Sequence, residues 1–320
     1  MRSYCSLYVD AGYLTAAAST RVTGTSLRSA TEMDVPGLLA ALVKQVEDDC
    51  GLPLLLIHWY DFGTGEGAPS GNQREIATLR KVKLRLGRVG FNGEQKGVDL
   101  KLALDLITQS RNKAAEVVYL LSGDDDLSEA VEEAQHQGVQ VISLVVPDTD
   151  GHPISVSQNL QMTVDQMQLI AGPVIDEHVR KSASAAMKQV AEAPAAPEPP
   201  PVPVVPARPV PRPPLRPPTV RPVPTYSTST GAAGQFAAHP PLDGHATEAI
   251  TDVGDKVVVN WWRGATETNR RELMKGKPLI PADMDRALLN DLSNRLSTYD
   301  IPQEWRFALR DAFWEKVSRL

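Results

Sequence analysis

The feature that most constrains this chain is Leu120-Leu121-Ser122-Gly123-Asp124-Asp125-Asp126-Leu127, where an apolar run from Val117 to Leu121 stops at a glycine and three consecutive carboxylates. A run of that length and composition reads as a strand buried on both faces, and open α/β sheets gather their ligands at the carboxyl ends of such strands. Three adjacent acids repel one another unless a cation is present, so the cluster is a candidate Mg²⁺ or Mn²⁺ site. The plainer account has Asp126 capping a helix that starts at Leu127 and the other two acids solvated in a loop. The triplet alone leaves both readings open.

Two further acids arrive in similar settings. The short apolar strand Cys5-Ser6-Leu7-Tyr8-Val9 ends on Asp10, and Ala11-Gly12-Tyr13-Leu14 reads as a turn into the next segment. In Lys96-Gly97-Val98-Asp99, the acid opens a helix whose apolar face is Val98, Leu102, Ala103, Leu106 and Ile107. An acid in a first helical turn is also favoured by the helix dipole. Asp105 points elsewhere on that helix and is a lesser candidate, as are Asp125 and Asp61, the latter placed just after the strand Leu54 to Tyr60. These three are expected to support the site from outside its centre.

Strand-Asp10, then Lys96-Gly97-Val98-Asp99, then Ser122-Gly123-Asp124-Asp125-Asp126-Leu127, in this order, resemble the NYN family of PIN-like nucleases, including its LabA-like branch. That family carries a first-strand Asp, a KGVD segment opening a helix and an SGDSDF-like turn. The resemblance covers about the first half of the chain. It implies that Asp10, Asp99, Asp124 and Asp126 bind Mg²⁺ or Mn²⁺ and support hydrolysis of RNA phosphodiester bonds. Carboxylate-held metal can generate a nucleophilic water and neutralise the leaving oxygen, which is why such a site requires no histidine. His58, inside the apolar strand, reads as a packed residue.

The expected fold is α/β, a mainly parallel sheet sandwiched by helices, followed by a small all-α region after a Pro-rich linker. Strands and helices alternate: Cys5 to Val9, Pro36 to Asp49, Leu54 to Tyr60, Gln73 to Leu79, Lys83 to Phe91, Asp99 to Ser110, Val117 to Leu121, Leu127 to Gln137, Gln140 to Val146. A last helix is expected over Ser157 to Ile170, and a loose one from Asp176 to Val190. The expected divisions are residues 1–172 for the NYN/PIN-like domain, 173–250 for a polar, Pro-rich and largely disordered linker, and 251–320 for a small helical domain. Proline concentrates between Pro194 and Pro224, with Arg208, Arg212, Arg216 and Arg221, which reads foremost as a stiff spacer and secondarily as a protein-binding segment. Beyond it, Met284, Leu288, Leu292 and Leu296, and Trp305, Leu309, Phe313 and Val317, recur every fourth residue, the signature of a small bundle. Asp283, Asp285, Arg286 and Arg295 read as its solvated face.

The net charge of −6 argues against a generally basic surface. A local basic run nonetheless precedes the KGVD segment, and its alternation sets Lys83 and Arg85 on one strand face. Lys83, Arg85, Arg88 and Lys96 are therefore the candidate RNA-phosphate contacts, against an ordinary solvated edge. Gly63, Gly65 and Gly67 lack the spacing of a phosphate loop. Cys5 and Cys50 belong to no CxxC or Cys/His cluster, which argues against a disulfide scaffold and a zinc site. No apolar stretch reaches bilayer length and no leader precedes the first strand, so a cytoplasmic protein without membrane contact is expected. Three functions remain in view: a Mg/Mn-dependent endoribonuclease with a helical interaction module, an inactive RNA-binding or regulatory scaffold on the same fold, and, more weakly, a phosphatase acting through a phospho-aspartate.

Overall fold

The structure is a computed structural model describing residues 3–64, 68–89, 95–182, 244–296, 298 and 301–320; the side chains at 88, 89, 95 and 96 fall outside that description. The proline-rich segment, Gly65, Gly67, Phe91 and the polar stretch past Ser182 lie outside the described residues.

The central sheet has seven strands: β1 (Cys5–Asp10), β3 (Leu54–Phe62), β4 (Val82–Val89), β5 (Gln95–Lys96), β6 (Val117–Leu121), β7 (Gln140–Val145) and β8 (Gln166–Leu169), in the order β5-β4-β3-β1-β6-β7-β8. All are parallel except β5, which pairs antiparallel with the end of β4. From β1 the chain builds outward through β3 and β4, then returns to the other side of β1 and builds outward again through β6, β7 and β8. The order therefore reverses between β1 and β6, and the carboxyl ends of those two strands flank the crevice where doubly wound sheets bind ligands.

Side-chain alternation fills both faces. Leu7, Val9, Ile57, Trp59, Tyr119 and Leu121 point to one side, where α1 (Ala11–Thr23), α2 (Val35–Cys50) and α7 (Gly172–His178) cover them with Leu14, Leu38, Leu42, Val46 and Ile175. Tyr8, Tyr60, Val118, Leu120 and Val141 point to the other, under Leu102 and Leu106 of α4 (Val98–Arg111), Val131 of α5 (Ser128–His136) and Leu160 of α6 (Gln158–Thr163). A short α3 (Gly71–Thr78) leads into β4, its start fixed by a capping box between Ser70 and Gln73. β2 (Thr31–Met33) and β9 (Val179–Lys181) form a separate antiparallel pair, so the first folded part continues as far as the end of β9.

Three segments differ from expectation; the described part of 176–190, expected as a loose helix, is the end of α7 followed by the strand β9. Ala11 to Thr23 is a full helix where a turn was expected: Asp10 caps its first amides, and its buried stripe is small residues, Ala11, Gly12, Ala17 and Ala18, with only Leu14 among larger apolar side chains. The stretch 157–170 is not one helix. α6 ends at Val164, whose backbone turns extended, and Gln166–Leu169 then adds to β7 as an outer strand. Asp165 pins that junction, its carboxylate accepting the Val141 N–H at 2.7 Å and its own N–H donating to the Val141 carbonyl at 3.0 Å.

The C-terminal region comprises α8 (Gly244–Gly264), α9 (Glu267–Gly276), α10 (Ala282–Leu296) and α11 (Gln303–Ser318). Its core holds Val257, Leu288, Leu292, Trp305, Leu309, Phe313 and Trp314, and the Trp314 indole N–H donates to the Pro278 carbonyl at 3.0 Å. Trp262 lies under the Arg270 guanidinium. The same core takes in Leu27, fully buried, and Ala30 from the loop between α1 and β2, so the bundle is seated on the α/β part. No helix among the described residues is long and apolar enough to cross a membrane.

Candidate active site

Asp10 ends β1 and caps α1. Its Oδ1 accepts the N–H groups of Gly12 at 2.8 Å and Tyr13 at 3.1 Å, while the Ser122 hydroxyl, from the neighbouring end of β6, donates to its Oδ2 at 3.4 Å. Because Val9 pairs with Leu121 in the sheet, the residues that follow each are neighbours across the crevice. Burial pushes the Asp10 carboxyl up to about 6, and the Asp99 carboxylate pushes the same way, against the Tyr13 and Gly12 amides and the Arg28 guanidinium.

Asp124 follows β6 and accepts the Asp126 N–H at 3.2 Å. Its carboxyl is also raised, first by burial and then by Asp99, Asp126 and Asp125. Asp99 stands in the first turn of α4, behind Gly97, whose φ of +84° is the left-handed conformation that glycine adopts without penalty. Its carboxyl is raised by burial and by Asp126. Asp126 is exposed at the mouth. Thus four acids from three separate stretches of chain share one electrostatic neighbourhood at the strand-order reversal. Their carboxylate oxygens are the hard donors that a divalent ion such as Mg²⁺ or Mn²⁺ takes, although no three of the four lie mutually within 4.8 Å.

The remaining candidates are placed differently. Asp125 accepts the Ser157 hydroxyl at 3.0 Å. Asp61 is held by the Gln73 side-chain amide at 2.7 Å and by the Phe62 N–H at 2.8 Å. Asp105, on α4, accepts the Tyr60 hydroxyl at 3.0 Å and pairs with the Arg85 guanidinium at 2.9 Å. That pair occupies Arg85 as well: the face it shares with Lys83 is covered by α4 at Arg85, whereas Lys83 is exposed. Arg88 and Lys96 face each other in the β4–β5 register, their side chains outside the described residues. His58 is 2% exposed and packs against the Tyr8 ring.

Among the described residues, one group of acid and histidine ligand atoms lies mutually within 4.8 Å: Asp148, Asp150 and His152, in the loop after β7. Its geometry has a local cause. The Asp148 carboxylate accepts the N–H groups of Asp150 and His152, both at 2.8 Å, closing a tight turn, and the His152 amide leads the interactions that hold this carboxyl low.

Arg28 was not anticipated. It stands on a single 3₁₀ turn, Arg28–Ala30, and its Nη2 lies 2.9 Å from where a Cβ on Gly12 would be, at the lip of the Asp10 crevice. Burial lowers its pKa and the nearby Arg286 adds to this, while Asp10 and Asp61 draw it upward. A lone arginine in a loop carries no motif; only the tertiary fold brings it to the acids.

The NYN domain profile matches residues 7–171, which spans β1 through β8. The curated protein y4oD of Sinorhizobium fredii, described as uncharacterized, is 42% identical over 90 residues, a stretch amounting to 28% of this chain and 40% of that protein's own length. A crystal structure of a protein of unknown function from Vibrio parahaemolyticus aligns with 56% of this chain and 97% of its own at 18% identity and a TM-score of 0.38. The DsGPDH structure from Dunaliella salina aligns at 11% identity and a TM-score of 0.29, over 98% of this chain and 49% of its own. The profile match covers more than half of the chain and runs through every acid of the crevice, and the chain belongs to the NYN domain family.

Proposed function

We propose that this chain is a metal-dependent endoribonuclease whose centre is Asp10, Asp99, Asp124 and Asp126. The observation that carries this reading is the gathering of these acids at the reversal of strand order between β1 and β6, where burial raises Asp10, Asp99 and Asp124 and Asp99 adds to Asp10 and Asp124 while Asp126 adds to Asp99 and Asp124. A divalent Mg²⁺ or Mn²⁺ ion bound there would supply Lewis acidity toward a phosphodiester and lower the pKa of water. The chain's own groups have separable tasks. The Gly12 and Tyr13 amides and the Ser122 hydroxyl fix the orientation of Asp10. Arg28 places a positive charge at the lip, where an RNA phosphate would enter. Lys83, exposed on β4, is a further candidate phosphate contact, as are Arg88 and Lys96, which pair in the β4–β5 register. RNA is the partner proposed for the crevice, in the cytoplasm, and the proline-rich segment is a second, protein-binding element.

The test is incubation of the purified protein with single-stranded and structured RNAs in Mg²⁺, Mn²⁺ or EDTA. Cleavage should require metal and fall about a hundredfold or more in Asp10→Asn and Asp124→Asn, with melting curves showing that both variants fold. Cleavage unchanged in both variants would overturn the assignment, and RNA binding without cleavage in any metal would identify the inactive, scaffolding form of the fold.

A further inference from the structure

The loop that carries Arg28 is held from two sides. From the α/β part, the Ser19 hydroxyl of α1 donates to the Leu27 carbonyl at 2.8 Å. From the C-terminal bundle, Asp291 of α10 grips the same loop: its Oδ2 accepts the Thr25 hydroxyl at 2.6 Å and its Oδ1 accepts the Ser26 N–H at 2.9 Å. Thr25 and Ser26 are both buried, and Leu27 and Ala30, on either side of Arg28, belong to the bundle's core. At the far end of this loop, Arg28 Nη2 lies 2.9 Å from the point where a Cβ on Gly12 would sit, and Asp10 Oδ1 lies 3.0 Å from that same point. The guanidinium and the first acid of the crevice therefore flank one small volume at the start of α1. The path from the bundle to the crevice is short: the Asp291 carboxylate, the Thr25-Ser26 backbone it holds, and the arginine that follows.

We propose that Asp291 is a positioning residue for Arg28, so that the C-terminal bundle is a working part of the RNA site through the loop it holds. Two donors on one carboxylate make hydrogen bonds of the stronger, charge-assisted kind. A loop fixed in this way has less conformational freedom left to lose when its arginine meets a phosphate, and that saving appears as affinity. Phosphate contacts carry no base information, so the gain applies to RNA of any sequence. The charge of Asp291 itself has the wrong sign for RNA, since a carboxylate repels phosphate. Any affinity that depends on Asp291 therefore comes through the loop it holds.

This rests on the reading of the crevice as an RNA site, and binding measured apart from cleavage separates the two. Binding of a fluorescently labelled, unstructured RNA to the full chain is followed in EDTA across a salt series, with a melting curve for every variant. Arg28→Gln should weaken binding about three- to tenfold and flatten the plot of log affinity against log salt by about 0.7, the loss of one phosphate contact. Asp291→Ala should show the same two changes, although removal of a carboxylate by itself would strengthen binding. Asp291→Asn keeps the side-chain shape and one acceptor for the loop; it should lose less, and it takes the place of the alanine variant if that one does not fold. Asp291→Ala combined with Arg28→Gln should bind RNA no more weakly than Arg28→Gln alone, because the group through which Asp291 acts is already gone, while the melting temperature still falls. Asn294→Ala is the control for a loosened bundle: it removes the hydrogen bond from the same helix to the Ser155 hydroxyl and should keep wild-type affinity. Wild-type affinity in Asp291→Ala, a loss that multiplies with that of Arg28→Gln, or an equal loss in Asn294→Ala overturns the positioning role. The expected binding pattern without cleavage in any metal supports that role and overturns the ribonuclease reading alone. Failure of the wild type to bind any RNA overturns both.

Discussion

Tyr8 and His58 stand side by side on adjacent parallel strands, their rings stacked with centroids 4.5 Å apart. The contact belongs to the layer under α4, where Tyr60 extends the stack and Asp105 and Arg85 close it off. Burial dominates in that layer and pulls the His58 pKa down to about 4, with Arg85 and Lys83 assisting and Asp105 pulling the other way. A histidine neutral in the fold and free to charge when unfolded contributes stability that is whole above its unfolded pKa of about 6.5 and lost as pH falls toward the folded value. Replacement by Phe keeps the stack and removes the proton. His58→Phe should therefore melt with less dependence on pH between about 6.5 and 4 than the wild type. Parallel melting profiles for the two proteins across that interval would remove His58 from the acid response.

Asp10 has the opposite linkage. Its folded pKa, pushed up to about 6, exceeds that of an unfolded aspartate, so ionisation costs the metal-free fold stability as pH rises through that value. The cost at neutral pH is about 2–3 kcal/mol, and asparagine removes it while still capping α1. In EDTA, Asp10→Asn should melt several degrees higher than the wild type at pH 8, with the difference closing by about pH 4. Saturating Mg²⁺ or Mn²⁺ should reverse the order, because only the wild type gains from the ion. An Asp10→Asn protein that melts lower in EDTA at pH 8 would show that the helix-end amides outweigh the burial.

The basic run divides into two kinds of residue. Arg85→Gln leaves the Asp105 carboxylate without its guanidinium in a partly covered layer and should lower stability by about 1–2 kcal/mol. Lys83→Gln removes an exposed charge and should leave stability unchanged while flattening the salt dependence of RNA binding. Denaturant unfolding and a salt series on each variant separate the two. Equal stability losses would mean that both positions are structural.

What could be read from the chain and what could not follows from where the information resides. Asp10, Asp99 and Asp124 announced themselves because each interrupts or opens an apolar period, and the strand-to-acid junctions of β1 and β6 survive unchanged in the fold. α1 was hidden because Ala11, Gly12, Ala17 and Ala18 form a buried face with almost no hydrophobic contrast; the signal that would have found it is Asp10 as a cap. β8 was hidden because Gln-Met-Gln-Leu is a strand only by virtue of pairing with β7. Alternation placed Lys83 and Arg85 on one face correctly, but which helix lies over that face is a property of the sheet order. The approach of Arg28 to Gly12 at the lip of the crevice is likewise tertiary.

The fold also sets where the chain can be cut. Ile175 is fully buried and Val179 is 2% exposed, both against the α1 and α2 side of the sheet, and β9 completes β2. A fragment of residues 1–182 should be more stable than one of residues 1–172, since each of those side chains contributes about 1.5–3 kcal/mol of burial. Urea unfolding of the two fragments checks this. Coincident curves would mean that α7 and β9 merely rest on the domain.

The tightest point in the crevice is Gly123. Its backbone φ is not left-handed, so glycine is there for space: a Cβ would come within 1.9 Å of the Ser155 carbonyl oxygen and 2.9 Å of the Tyr13 ring. Backbone on one side and an aromatic ring on the other leave no flexible group to move aside. Gly123→Ala should push the 153–157 loop away from the turn that carries Asp124, lowering stability by about 2–4 kcal/mol and reducing cleavage further than the melting temperature alone accounts for. Gly71→Ala is the control, because that helical glycine has open space around its Cβ position and the change should stabilise by up to about 1 kcal/mol. Both variants are compared by denaturant unfolding and by cleavage well below their melting temperatures. A Gly123→Ala protein with wild-type stability would show that the Ser155 loop yields, and that the close approach over the acidic turn is not needed to hold it.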